Sequence, residues 1–276
     1  MQSRYRIVLT TIRLASLLVL VAACPVSAAE KASATLLIKD SLTSPKKSVT
    51  VEAKLVAKGL LTNAALGGEP LELLVNRKVV ATAMTGGDGK AYLSYRPKSR
   101  GVIPIQVRVG SSPRVAPTEA QGHLAAWERR TPILMVEMSA LFENPAAQKP
   151  MADAAEELGK LTQFYYNVIY VVNEQRGKGD AFQASDDARQ WLSTHKFPLG
   201  YILVLPPSDE ALGNKLDELR DAGWTTIRIG VGRTKKFAEA FVQRRLEAVM
   251  VPEPAKSEKA RKAKVAKAWK DVRKHF

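Results

Sequence analysis

This sequence predicts a multidomain α and β protein, with an N-terminal antiparallel β-sandwich followed by a C-terminal α/β domain on a five-stranded parallel sheet. Two observations carry that expectation. Between Thr35 and Val109 apolar residues alternate with period two and turn residues recur at short intervals, the pattern of half-buried antiparallel strands. From Ile133 onward short apolar strands alternate with helix-length amphipathic segments, the pattern of a parallel sheet with helices on both faces. A chain of 276 residues is long enough for both.

The first 28 residues read as an export signal. Arg4, Arg6 and Arg13 precede the apolar run Leu14 to Ala23, and the small residues Val26-Ser27-Ala28 follow. That run is too short to span a bilayer, and an uncleaved anchor over Ile7 to Ala29 would enclose Arg13. Cys24, the lone cysteine, follows Val21-Ala22-Ala23 as in a lipoprotein box, so lipidation at Cys24 stands beside ordinary cleavage near Ala28. Either way the chain is expected to be exported, periplasmic or envelope-associated, and its folded part holds no disulfide.

In the sandwich, assigned to 31–115, strands are expected at Thr35–Ile38, Val49–Ala57 and Leu71–Val75, with turns at Gly67-Gly68-Glu69-Pro70, Asn76-Arg77 and Gly86-Gly87-Asp88-Gly89. Asp88 reads as a turn residue, with Gly89 supplying positive φ. The segment Glu69 to Leu73, Val79 to Thr85, Asp88-Gly89-Lys90-Ala91, Tyr95 and Gly101 to Ile105 resembles the bacterial immunoglobulin-like modules of exported proteins. That resemblance implies a fold, and a spacer or binding role. Residues 116–130 read as a linker.

In the α/β domain, 131–253, strands are expected at Ile133–Glu137, Asn167–Val172, Gly200–Leu205, Thr225–Val231 and Ala248–Val251. Helices are expected from Asn144-Pro145 to Leu161, from Ser185 or Asp186 to His195, from Ser208 to Gly223, and from Thr234 to Glu247. Ligands of such sheets sit at the carboxyl ends of the strands. Those ends carry Glu137-Met138-Ser139, Val172-Asn173-Glu174 and Gly230 to Lys236, with Lys215 on the helix after the third strand.

That order of residues resembles the haloacid dehalogenase superfamily. Trp191 to Gly200, a helix ending in a turn with Pro198-Leu199-Gly200, is similar to the branch of lipin-like phosphatidate phosphatases. The resemblance implies an aspartate nucleophile, a second aspartate two residues on, a hydroxyl, a lysine and a final acidic pair holding magnesium. This chain departs from it. Glu137 stands for the nucleophile and Ser139 for the acid, Asn173 or Val172 for the hydroxyl and Lys215 for the lysine, and Gly232-Arg233-Thr234-Lys235-Lys236 offers no carboxylate. A glutamate carries its oxygens about one ångström further out, a displacement that can cost on the order of a hundredfold. Losing the metal acids removes the electrostatic stabilisation as well.

The expected function is therefore that of a pseudo-phosphatase. Lys215, Arg233, Thr234, Lys235 and Lys236 would bind an anionic ligand or phosphorylated compound at a helix N-terminus, or would be solvated loop cations. The alternatives are an active phosphate-ester hydrolase using Glu137 or Ser139, and a structural envelope protein. No cofactor and no metal site are expected. His123, His195 and His275 are scattered, and the chain has no G-x-S-x-G elbow, phosphate loop or dinucleotide fingerprint.

The net charge of +15 points to an acidic partner, and an exported chain makes that an anionic envelope surface or a protein partner rather than nucleic acid. Nine Lys or Arg between Lys256 and Lys274 face only Glu258 and Asp271. Val265, Trp269, Val272 and Phe276 in this tail, 254–276, are spaced for one helical face. The expectation is a basic amphipathic helix with Trp269 and Phe276 in contact with an anionic membrane; a stripe docked on its own domain and a disordered tail are the alternatives.

Overall fold

The computed structural model describes residues 31–58, 64–144, 146, 148–174 and 180–276; the expected signal at 1–28, with Cys24, lies outside them. Residues 31–276 form one compact unit in which the sandwich and the α/β layers are packed together.

Nine strands build the sandwich: β1 (Ala34–Ile38), β2 (Ser41–Thr43), β3 (Val49–Ala57), β4 (Ala64–Ala65), β5 (Pro70–Val75), β6 (Lys78–Met84), β7 (Lys90–Tyr95), β8 (Gly101–Val109) and β9 (Glu119–Ala126). In one sheet β1, β4 and β7 all pair with β3; the other runs β2-β9-β8-β5-β6. Alternation does the work the sequence implied. Val51, Ala53 and Leu55 of β3 are fully buried and meet Leu71, Leu73, Ile105 and Leu124 from the opposite sheet, while the intervening side chains face outward. Gly89 holds a left-handed turn at φ +74°, where a side chain would strike the Leu55 carbonyl.

Two expectations are corrected here. The sandwich is not purely antiparallel, because β2 lies parallel to β9. Residues 119–126 of the supposed linker are β9, a central strand paired along its whole length with β8. Its polar first half hides the pattern, and only Leu124 to Ala126 are apolar and fully buried.

The α/β part comprises β10 (Ile133–Glu137), the short pair β11 (Phe142–Asn144) and β12 (Lys149–Pro150), α1 (Ala154–Phe164), β13 (Asn167–Asn173), α2 (Ala181–Thr194), β14 (Tyr201–Leu205), α3 (Ala211–Asp221), β15 (Ile227–Gly232), α4 (Lys235–Gln243), β16 (Glu247–Met250), β17 (Lys264–Val265) and α5 (Trp269–Val272). The sheet order is β14-β13-β10-β15-β16-β17, with every pair parallel. It has six strands rather than five, the sixth coming from the tail. Helix α1 starts at Ala154, not at Asn144, because Phe142–Asn144 is tied into the short pair with Lys149–Pro150.

Each residue of β10 is buried, on both faces, as expected of a central parallel strand. Ile133 and Met135 join one hydrophobic layer and Leu134 and Val136 the other.

The tail is not a free amphipathic helix. Ala260, Ala263, Ala266, Trp269 and Val272 are buried at intervals of three, while the lysines and arginines between them stay exposed. Trp269 is wholly buried and its indole donates to the Ala140 carbonyl at 2.9 Å, so the expected membrane contact of Trp269 is corrected to a core anchor. Phe276 remains partly exposed.

A buried carboxylate links the two halves. Asp40, in the loop between β1 and β2, accepts from the backbone N–H of His123 and Ile202 and pairs with Arg189 of α2 at 2.9 Å. Ala125 and Trp127 enter the same apolar layer as Ile133 and Ile169.

Candidate functional site

The sheet order reverses direction between β10 and β15, and a cleft opens at the carboxyl ends there, where α/β sheets place their ligands. It has a volume of about 260 Å³ and is lined by Glu137, Asn173, Ser208, Asp209, Thr234 and Lys236, among others.

Glu137 is 2% exposed, and its carboxylate is fully engaged. Oε2 accepts from the backbone N–H groups of Arg233 at 2.8 Å and Thr234 at 2.9 Å, and Oε1 accepts from the Thr234 hydroxyl at 2.7 Å. The Thr234 hydroxyl in turn accepts from the Phe237 N–H as the N-cap of α4. A helix N-terminus offers unpaired N–H groups and a positive dipole end to an anion. Here the protein's own carboxylate is bound by the N-cap residue and the residue before it.

Local packing fixes this arrangement. Gly230 and Gly232 let α4 lie close on β15: a Cβ at Gly230 would come within 2.6 Å of the Phe241 ring, and one at Gly232 would collide with Phe237. With α4 drawn in, its first turn points at the end of β10. The glycines around Val231, read from the sequence as part of a loop motif, are helix-packing positions.

The five residues expected to bind an anion are not gathered together. The Arg233 guanidinium turns away from the cleft and donates to the carbonyls of Ser139 at 2.8 Å and of Phe142. Burial lowers its pKa from the ordinary arginine value, with the Glu137 charge pushing it back up. Lys235 faces the Pro252–Glu258 loop, with Nζ 3.5 Å from the Ser257 carbonyl. Lys236 reaches the cleft and pairs with Asp209. Lys215 lies elsewhere, bonded to Glu218 at 2.7 Å and lining a separate pocket with Lys39, Asp40 and Tyr201. Spacing along α3 could not reveal this, because it fixes neither the rotation of the helix nor the end of the sheet its face meets.

Of the residues standing for the family's catalytic positions, Glu137 and Asn173 line the cleft. Ser139 sits in the 3-10 turn Met138–Leu141, and its buried hydroxyl has no hydrogen-bond partner among the described residues. The magnesium implied by the resemblance does not fit this cleft. Among the described residues only Glu137 and Asp209 supply carboxylates to its lining, one held by Arg233 and Thr234 and the other paired with Lys236. Among the described residues no three His, Cys, Asp or Glu converge on a point.

Sequence reasoning missed Asp40 and His123, which meet between the two halves. His123 borders a cavity of about 400 Å³ with Gln106, Gln121, Arg189, Ser193 and Leu199. Burial lowers its pKa, with Asp40 opposing and Arg189 adding to that shift. Asp40 carried no signal in the sequence beyond a polar residue after an apolar strand.

No helix of the described residues is long and apolar enough to cross a membrane. No protein-family model matches the chain, and no curated protein matches it. Similar solved structures include the titin M3 domain, 14% identical over 34% of this chain and 97% of that one with a TM-score of 0.24. Titin domain I10 is 12% identical over 35% and 99%, at 0.23. The D00-D0 domain of intimin is 11% identical over 33% and 46%, at 0.24. A family 123 glycoside hydrolase from Clostridium perfringens is 7% identical over 79% and 60%, at 0.22. These scores are too low to carry an argument, and the matches lend no support to the haloacid dehalogenase resemblance.

Proposed function

We propose that this is an exported, non-catalytic protein whose α/β part is a degenerate phosphatase-like domain of the haloacid dehalogenase type, joined to an immunoglobulin-like sandwich. It acts by holding an anionic partner in the cell envelope rather than by turning one over. The observation that carries the reading is the state of Glu137. A nucleophile needs a free carboxylate aimed at the reacting atom, and both oxygens of Glu137 are committed to Arg233 and Thr234, the two residues that lead into α4. The residue at the nucleophile position has become a bridge between the first strand of the sheet and the helix after the fourth. The anionic partner rests on charge: the tail alone contributes nine basic against two acidic residues, and it is held on the surface of the domain.

The test is hydrolysis of p-nitrophenyl phosphate and phosphatidic acid by the full chain, with and without magnesium. No turnover above the uncatalysed rate is expected. Magnesium-dependent turnover that disappears in a folded Glu137→Gln variant would overturn the proposal in favour of an active hydrolase.

A further inference from the structure

The tail and the end of α1 bring exposed aromatic rings and exposed cations together. Phe164 and Tyr165, the last residue of α1 and its C-cap, are 69% and 65% exposed, although they are among the largest apolar side chains of the molecule. Next to them Tyr166 meets the ring of Phe276 edge to face at 5.4 Å, and Phe276 is itself 40% exposed. From Ala266 onward the tail is fastened along α1: Arg273 pairs with Glu157 at 2.6 Å, and Ala266, Trp269 and Val272 share a buried layer with Leu158 and Leu161, whereas Ala260 and Ala263 pack in the layer on the other face of the sheet. The buried residues of the tail recur every third position, so the cations between them are held outward. Lys267 and Lys270, on the stretch of the tail beside α1, are exposed and have no ion-pair partner among the described residues.

We infer that this surface, Phe164, Tyr165 and Phe276 with the cations of the tail, is a docking face for an anionic lipid bilayer. The inference rests on the proposed binding role and names its partner. Phenyl and phenol rings partition into the headgroup region of a membrane, and basic residues near it are drawn by its negative potential. A soluble polyanion would use the cations but would have no need of three exposed rings. Because Trp269 is buried, attachment is shallow and reversible, set by charge with a few rings at the boundary rather than by an inserted helix.

The experiment is co-sedimentation of the full chain, in a Cys24→Ser background that excludes an acyl anchor, with phosphatidylglycerol/phosphatidylcholine vesicles and with pure phosphatidylcholine vesicles. Partitioning onto the anionic vesicles is expected to be stronger by roughly a hundredfold and to fall as salt rises. Lys267→Gln and Lys270→Gln together should weaken it by roughly fivefold per cation removed. Phe164→Ser, Tyr165→Ser and Phe276→Ser together should weaken it by roughly tenfold or more. All five positions are exposed, and thermal unfolding of each variant checks that folding is retained. Equal partitioning onto both vesicle types, or no effect of either set of substitutions, overturns the inference. So does binding to heparin that ignores the aromatic substitutions in the absence of vesicle binding, which would identify a soluble polyanion instead. None of these outcomes depends on phosphate-ester turnover, so this inference and the pseudo-phosphatase reading fail separately.

Discussion

If Glu137 is a structural bridge, its substitutions should rank by how well the replacement satisfies the Arg233 and Thr234 donors that lead into α4. Glu137→Gln keeps the shape and one accepting oxygen but turns charge-assisted hydrogen bonds into neutral ones of about half the strength, a loss of about 1–2 kcal/mol. Glu137→Ala leaves the N–H groups of Arg233 and Thr234 without an acceptor in a buried setting. At about 1–3 kcal/mol for each orphaned group, the two together cost about 2–6 kcal/mol. For a folded unit of this size about 2–4 °C accompany each kcal/mol, so unfolding temperatures should drop by about 2–8 °C for Gln and about 4–24 °C for Ala. Glu137→Asp, which restores the residue expected of an active phosphatase, falls short by one methylene and should destabilise to an intermediate degree without producing turnover. Thermal unfolding followed by circular dichroism, beside a magnesium-supplemented phosphatase assay, reads all three. An alanine variant that melts within about 1 °C of the wild type, far less than orphaned N–H groups allow, would refute the bridge. Turnover by Glu137→Asp would refute the loss of the catalytic frame.

Other outcomes follow from the same structure. Asp40→Ala should cost about 2–6 kcal/mol, because it leaves the buried backbone N–H groups of His123 and Ile202 without an acceptor and removes one of the two carboxylates paired with Arg189, Asp186 remaining; denaturant unfolding measures it, and a change below about 1 kcal/mol would mean the two halves are not held by this pair. Trp269→Ala should likewise cost about 3–5 kcal/mol by emptying a core position, whereas a solvated tail would tolerate it. The folded-state pKa of His123 lies below 6.5, so the unfolded chain binds the proton more readily. Its stabilising contribution is complete above pH 6.5 and is lost as pH falls from there through the lowered value. A His123→Gln variant should flatten that part of the stability-versus-pH curve, as a series of melts across mildly acidic pH would register.

Much of the architecture was legible locally. Val49–Ala57 announces its pairing by strict alternation, and Ile133–Glu137 announces a buried central strand by unbroken apolarity, because each pattern depends only on which faces of one segment are wet. The tail misled for a related reason. Val265, Trp269, Val272 and Phe276 satisfy a helical spacing, yet the chain buries Ala260, Ala263, Ala266, Trp269 and Val272 instead, and alanines give almost no signal in a hydrophobic period.

By itself, then, the sequence determined the two fold classes, the switch from period two to strand–helix alternation and the excess of positive charge. These follow from composition and near-neighbour periodicity, which the chain carries wherever it folds. Only the tertiary structure decided that Glu137 is bonded to Arg233 and Thr234 at the start of α4, that Lys215 and Arg233 do not meet in a basic pocket, that Asp40 joins the two halves, and that the end of the tail lies along α1. Each of those depends on helix rotation, strand order and contacts across tens to more than a hundred residues, and short-range pattern holds no information about them.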